Sequence, residues 1–261
     1  MTKIQRITGL GMAAACVVFM GCQETPPLGV ELGDGPLELQ AHKKLSPDVC
    51  SPSSGGFTTV STNPYFPMAV GDQWSYEGEE DGEEVSLLIT VLNRTRLIDG
   101  VTTRVIEERE WVDDVLLEIS WNYFAQAEDG TICYFGEDVD IYEDGGIVHD
   151  GAWCGDDPGS APGIFMPADP QPGQTFQMEL APGIAEDQGK IVGSGPVTVE
   201  AGTFPETIRV RESTPLERGI GFKTWAAGTG LIIDGPVELF SFTHGAPTPG
   251  PPTITLQVCG S

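Results

Sequence analysis

Carboxylates are the residues with chemistry to offer in this chain. They crowd just past its middle: Glu137, Asp138, Asp140, Glu143 and Asp144, then Asp150, Asp156 and Asp157. Hard oxygen ligands gathered on loops suit Ca²⁺, so the first five are candidate metal ligands, although their spacing is not that of an EF-hand loop. The competing reading is a solvated acidic edge, which discourages edge-to-edge strand pairing. Ca²⁺ is the one cofactor this pattern suggests, and no motif requires any other. Paired carboxylates can hydrolyse glycosides at a suitable separation, and Glu137 with Asp138 is the pair such a reading would use. With 39 acidic residues some pair is always at hand, so abundance alone does not argue for a hydrolase. Nucleophilic catalysis has less to stand on. No G-x-S-x-G occurs, Gly193-Ser194-Gly195 reads as a turn, and His42, His149 and His244 stand in no catalytic or metal spacing. No catalytic residue is assigned.

The charge balance narrows the partners. Against 39 acidic residues stand 13 basic ones, a formal charge of −26. Phosphate backbones would be repelled over most of such a surface, which argues against nucleic acid. An acidic surface of this kind suits a soluble domain in salty or extracellular surroundings.

The N-terminus reads as an export signal. Lys3 and Arg6 precede an apolar run, Leu10 to Met20, which is too short to span a bilayer but fits the core of a signal peptide. The run ends in Val18-Phe19-Met20-Gly21-Cys22. This resembles the lipobox of bacterial lipoproteins, with Phe19 where Leu is usual. The resemblance implies a signal peptide at residues 1–21 and a diacylglyceryl group with an N-acyl chain, such as palmitate, on Cys22. Several acyl chains together make membrane anchoring stable. Gln23 in place of Asp favours the outer membrane by the same analogy. Residues 22–49, rich in Pro and Gly without a sustained period, then form a tether.

With Cys16 in the leader and Cys22 lipidated, Cys50, Cys133, Cys154 and Cys259 remain. In an oxidising compartment an even count reads as disulfides, and four cysteines allow three connectivities. Cys133–Cys154 and Cys50–Cys259 are the expected pairs, the first closing a local loop and the second tying the domain's ends together. Zinc is disfavoured because no C-x2-C or H-x3-H spacing occurs.

These groups are held by strands. In Val115–Ala127 the residues Val115, Leu117, Ile119, Trp121, Tyr123, Ala125 and Ala127 share one parity, while Glu118, Ser120, Asn122 and Gln126 share the other, with Leu116 and Phe124 as exceptions. That alternation predicts a strand with one buried face, the apolar one. Asp129-Gly130 predicts a two-residue hairpin turn pairing Ala125 with Tyr134, and the parity flip past Gly136 predicts a bulge there. Asp99-Gly100 predicts a second hairpin, and Val112-Asp113-Asp114 a further reversal, so successive strands form an antiparallel meander. Asn63-Pro64-Tyr65-Phe66-Pro67 reads as an extended entry that plugs one end of the sheet. Gly155 to Gly173 reads as a long irregular loop. No convincing helix or fixed repeat is found. The aromatics Trp121, Tyr123, Tyr134, Phe135 and Trp153 could line a ligand groove, but at alternate strand positions core is the better reading. The expected fold is all-β: a single curved antiparallel sheet, half-barrel or sandwich built from a hairpin meander, occupying residues 50–261 with a Pro-rich C-terminal tail.

Several motifs together carry a family resemblance. They are Asn63-Pro64-Tyr65-Phe66-Pro67, Gly71-Asp72-Gln73-Trp74-Ser75-Tyr76, Tyr123-Phe124-Ala125-Gln126, Tyr134-Phe135-Gly136-Glu137, Pro162-Gly163-Ile164-Phe165-Met166-Pro167, Ala181-Pro182-Gly183-Ile184-Ala185-Glu186-Asp187, Gly202-Thr203-Phe204 and Gly228-Thr229-Gly230-Leu231-Ile232. The pattern is similar to a recurring family of exported bacterial β-sheet proteins and lipoproteins, mostly uncharacterised, and implies a curved antiparallel sheet. The expected role is that of a lipid-anchored cell-envelope protein that binds or scaffolds an unknown protein or small molecule without catalysis. The alternatives are a carrier of an apolar or lipid ligand on the concave sheet face and a carboxylate-dependent hydrolase.

Overall fold

Tight reversals built on Asp and Gly set the first half of the fold. In the computed structural model, which describes residues 43–143 and 145–246, strands β1 (Gln73–Glu80), β2 (Glu83–Ile98), β3 (Val101–Val112) and β4 (Val115–Gln126) follow one another directly. The connections are Asp81-Gly82, Asp99-Gly100 and Asp113-Asp114, all six residues at positive φ. That backbone matches the twist of a hairpin, and Asp and Gly reach it at low cost. The turn into β5 (Ile132–Glu143) is one residue longer than expected: Ala127 N–H donates to Thr131 O and Gly130 N–H to Ala127 O. Phe124 therefore faces Tyr134 and Ala125 faces Cys133. The bulge expected at Gly136 is present, with φ 133° there. It restores the expected register from Asn122 opposite Glu137 onward.

The remaining strands are β6 (Gly146–Val148), β7 (Trp153–Cys154), β8 (Ala161–Met166), β9 (Thr175–Gln177), β10 (Glu179–Leu180), β11 (Gln188–Val199), β12 (Gly202–Ser213), β13 (Gly221–Ala226), β14 (Gly230–Asp234) and β15 (Val237–Thr243). All fifteen belong to one antiparallel sheet, curled into a nearly closed barrel with β15 returning beside β1. Its two ends are β9, paired to β11, and β10, paired to β8. These strands adjoin in sequence, so one extended run, 175–180, bridges both edges and forms a seam. Gly163 makes that approach possible, since a Cβ there would lie 2.1 Å from Met178 O. Residues 161–166, expected within an irregular loop, are strand β8. Ile164, Phe165 and Met166 are buried there, and edge pairing to β5 and β10 tolerates Pro162. Among the described residues helix is confined to two 3₁₀ turns, Pro47–Cys50 and Pro52–Ser54. The end of the expected tether docks on the barrel, with Leu45 N–H donating to Thr175 O at 2.8 Å.

The disulfide pairing differs from expectation. Cys50 is bonded to Cys133, and both are fully buried. The reason is the path of the entering segment. It crosses the central hairpin, where Thr58 exchanges backbone hydrogen bonds with Gln126 and Phe57 sits edge-on against Phe135. Cys154 lies beside Gly136, three residues along β5 from Cys133 and thus about 10 Å away. Cys154 is likewise no free thiol, and Cys259 lies outside the described residues, as do Cys22 and His42. The bridge closes a long loop, its cysteines 83 residues apart. A Cys50→Ala/Cys133→Ala variant is expected to lose about 4 kcal/mol, read from denaturant midpoints. An unchanged midpoint would show that the segment is held by packing alone.

Candidate functional site

The strand alternation of β4 holds, but its inside and outside do not. Both faces are buried from Glu118 onward. Register places Glu110 opposite Glu118, Glu108 opposite Ser120 and Ile106 opposite Asn122, so these side chains share one face. That face looks into the barrel. Phe124 stacks on Tyr134 and meets Phe165, which packs in turn on Trp225 of β13, across the interior. The apolar parity, with Ile119, Trp121 and Tyr123, is also buried, but on the opposite side of the sheet.

The interior has two zones. One end is plugged by aromatics: Phe66 of the entry segment against Phe124, Phe165 and Trp225. Asn63 fixes the plug, donating to Gly130 O at 3.1 Å and Pro167 O at 2.9 Å. The expected role of this segment is thereby met. The other zone is a belt of buried carboxyls: Glu108, Glu110, Glu118, Glu137, Glu179, Asp187 and Glu212. Lys223 answers part of this charge. Its Nζ lies 2.7 Å from Asp234, with Glu212 and Glu108 nearby. Burial alone would lower the lysine's pKa, but these carboxylates outweigh it and hold the ammonium charged.

Desolvation governs the carboxyls, because an anion loses its hydration inside a barrel. Glu110 is pushed up to about 9 by burial, then by the charges of Glu118 and Glu108. Glu108 and Glu212 are each pushed up to about 8 by burial, partly opposed by Lys223. Burial raises Asp187 to about 6 against a hydrogen bond to Thr214. Glu137 and Glu179 are likewise held well above the ordinary glutamate value, by burial first and then by neighbouring carboxylates. At neutral pH Glu108, Glu110 and Glu212 therefore hold their protons. One oxygen of each of five of the belt carboxyls is sealed: Glu108 Oε2, Glu110 Oε1, Glu137 Oε2, Glu179 Oε1 and Glu212 Oε1 each expose less than 1 Å².

The five expected metal ligands do not form one site. Glu137 points into the belt. Asp138 and Asp140 have partners of their own, and Asp144 lies outside the described residues. Asp138 receives Arg96 Nη1 at 2.6 Å and the Tyr123 hydroxyl, and Asp140 pairs with His149 Nδ1 at 2.6 Å. Glu143 ends β5 half-buried. Alternation along β5 separates Glu137 from Asp138 by the thickness of the sheet, so the pair cannot flank one bond. No group of three or more His, Cys, Asp or Glu is placed to hold a metal among the described residues. Trp121 is core and donates Nε1–H to Glu107 at 2.9 Å. The outer surface carries a recess of about 480 Å³ lined by Glu77, Gly78, Glu200, Pro236, Glu238 and Phe240. Glu77 and Glu238 face each other across β1 and β15, and Phe240 is 47% exposed.

The belt residues Glu108, Glu110, Glu118, Glu179, Glu212 and Lys223 were not expected as a site. One signal was available: Glu107-Glu108-Arg109-Glu110 is charged on both parities within a strand, so one charged face had to point inward.

No family model matches the chain, and no curated protein matches it by sequence. Among solved structures it is similar to a protein of Parabacteroides distasonis provisionally described as a lipoprotein, at 12% identity and a TM-score of 0.25, over 69% of this chain and 99% of that one.

Proposed function

We propose that the chain is a lipid-anchored protein of the bacterial cell envelope, held through Cys22, with the outer membrane favoured, and that its barrel binds or scaffolds without catalysis. The anchor reading rests on the leader and the Gly21-Cys22 junction. The observation that supports binding on the outside is that the interior is filled by the chain's own side chains. A lipid carrier would want an apolar concave space; here the concave face holds the aromatic plug and the carboxyl belt. A carboxylate hydrolase would want acids of raised pKa in a cleft. The belt has the acids, but they are buried in the barrel wall's interior, each residue 4% exposed or less, and among the described residues they line no cleft.

The outer recess is the better place for a partner. Like charges opposite one another on neighbouring strands are unfavourable until a cation joins them, and an exposed ring adds about 0.5–1 kcal/mol for a cation over its face. A basic segment of a protein partner fits this chemistry. Two measurements test the reading. The full-length protein expressed in a bacterial host is expected to enter the detergent phase, and Cys22→Ala is expected to leave it in the aqueous phase. A Lys/Arg-rich peptide is expected to bind at low salt and to weaken several-fold with Glu238→Gln or Phe240→Ala. Equal partition of both proteins would sink the anchor, and peptide binding indifferent to both surface variants would sink the recess.

A further inference from the structure

Cys154 holds a bond that the other described cysteines do not explain. Its sulfur is in a disulfide, yet Cys50 and Cys133 are bonded to each other. Within the chain its partner is therefore Cys16, Cys22 or Cys259, the three cysteines outside the described residues. Neighbours fix where the sulfur points. Trp153 packs edge-on against Tyr134 inside the barrel. Strand alternation then turns Cys154 to the outer side of the wall, the side that also carries Cys133. A turn holds it there: Cys154 N–H donates to Asp157 Oδ2 at 2.7 Å, and Asp157 N–H donates to Cys154 O at 3.0 Å.

We infer that Cys154 is bonded to Cys259, so that the segment after Ala246 returns to the outer wall and is stapled beside β7. The starting point of that segment is fixed. Ala246 N–H donates to Gly71 O at 2.6 Å, and Gly71 N–H donates to Val91 O at 2.9 Å. From Val91 one row of register pairs crosses the wall through Ile106, Asn122 and Glu137 to Trp153, next to Cys154. Ala246 to Trp153 is thus six strand-to-strand steps, about 29 Å along the curved wall. Cys259 stands thirteen residues beyond Ala246, and an extended chain of that length reaches about 43 Å. Prolines at 247, 249, 251 and 252 favour such an extended path. Cys16 lies in the leader. Cys22 has reach enough, but a thioether sulfur cannot enter a disulfide, and at this step the inference rests on the anchor reading. The bond forms by exchange with a protein disulfide of the export compartment. The Cys259 thiolate attacks that disulfide and releases one of its sulfurs as thiolate; the Cys154 thiolate then displaces the other from the mixed disulfide. Two electrons leave with the oxidant, now a dithiol, whose sulfurs take up the two cysteine protons. Cys50–Cys133 ties the entering segment to β5, and Cys154–Cys259 ties the leaving segment beside the same strand at Gly136.

Non-reducing peptide mapping reads the bond directly, on full-length protein purified from a bacterial envelope with its thiols blocked by N-ethylmaleimide. A linked pair of peptides holding Cys154 and Cys259 is expected beside Cys50–Cys133. That pair found with Cys22 unacylated would support the bond and sink the anchor alone. Cys154 linked to Cys22 would overturn both. Cys154 blocked as a thiol, or linked to another copy of the chain, would overturn the bond and leave an acylated Cys22 standing. Thiol titration of the denatured protein gives a second measurement that needs no folded variant. Cys259→Ala is expected to gain one thiol over the wild type, and Cys154→Ala/Cys259→Ala none. No gain in Cys259→Ala would overturn the proposal.

Discussion

Unfolding free energy is expected to be greatest near pH 5 and to fall steadily toward pH 9, the reverse of the usual behaviour of an acidic protein leaving its acid limb. The sign follows from the belt. In the unfolded chain Glu108, Glu110 and Glu212 ionise at ordinary glutamate values, whereas in the barrel burial holds them protonated to about 8, 9 and 8. Between those limits the native state binds more protons than the unfolded state, so stability drops as pH rises. Each such group costs about 1.4 kcal/mol per pH unit. One group alone lowers stability by about 4 kcal/mol between pH 5 and pH 8, a large share of a typical domain's total. Surface repulsion gives no comparable slope, because exposed carboxylates are already ionised at pH 5 in both states, and what it does contribute is screened by salt. Denaturant titrations at several pH values, repeated in 0.5 M NaCl, separate the two. The slope is expected to survive salt and to lessen in Glu110→Gln, which should be more stable than the wild type at pH 8. A flat profile, or one rising to pH 8, would mean that the belt reaches water and is not buried as described.

How much of this could be read from residues alone depends on what each signal reports. Asp99-Gly100 and Asp113-Asp114 report local backbone preference, and both turns formed where expected. Gly136 reported a parity flip, and the bulge is there. Alternation in Val115–Ala127 reported a strand but not which face turns inward. The usual assignment, apolar side in, fails because the barrel interior takes the polar parity while the apolar parity is covered from the other side. A carboxylate such as Glu108 is written as a charge in sequence, yet inside the barrel its cost is set by protons and by Lys223, neither of which the alternation encodes. The disulfide was illegible for a related reason: spacing along the chain does not say that the segment after Cys50 crosses the central hairpin. The outer recess joins Glu77, Glu200 and Glu238 from distant parts of the chain, which only closure of β15 onto β1 brings together.

Lys223→Met is expected to cost about 3–5 kcal/mol at pH 8, the loss typical when one partner of a buried ion pair is removed, and far less at pH 5. The ammonium is buried against Asp234 and faces Glu212 and Glu108. Methionine fills much the same volume, so packing changes little, while the carboxylates lose the one lysine that answers them. A buried anion without a partner takes up a proton rather than remain charged. Below about pH 6 protons are plentiful and replace the ammonium at small cost. At pH 8 holding them costs about 1.4 kcal/mol per group for each unit that the carboxyl must be raised above ambient pH. The difference between the two pH values is therefore the diagnostic, and denaturant midpoints of wild type and variant at pH 5 and pH 8 measure it. Adding Glu212→Gln to Lys223→Met is expected to restore part of the loss at pH 8, because it removes one of the anions left behind. An equal penalty at both pH values, untouched by the second substitution, would assign Lys223 to packing and leave the belt without its counter-charge.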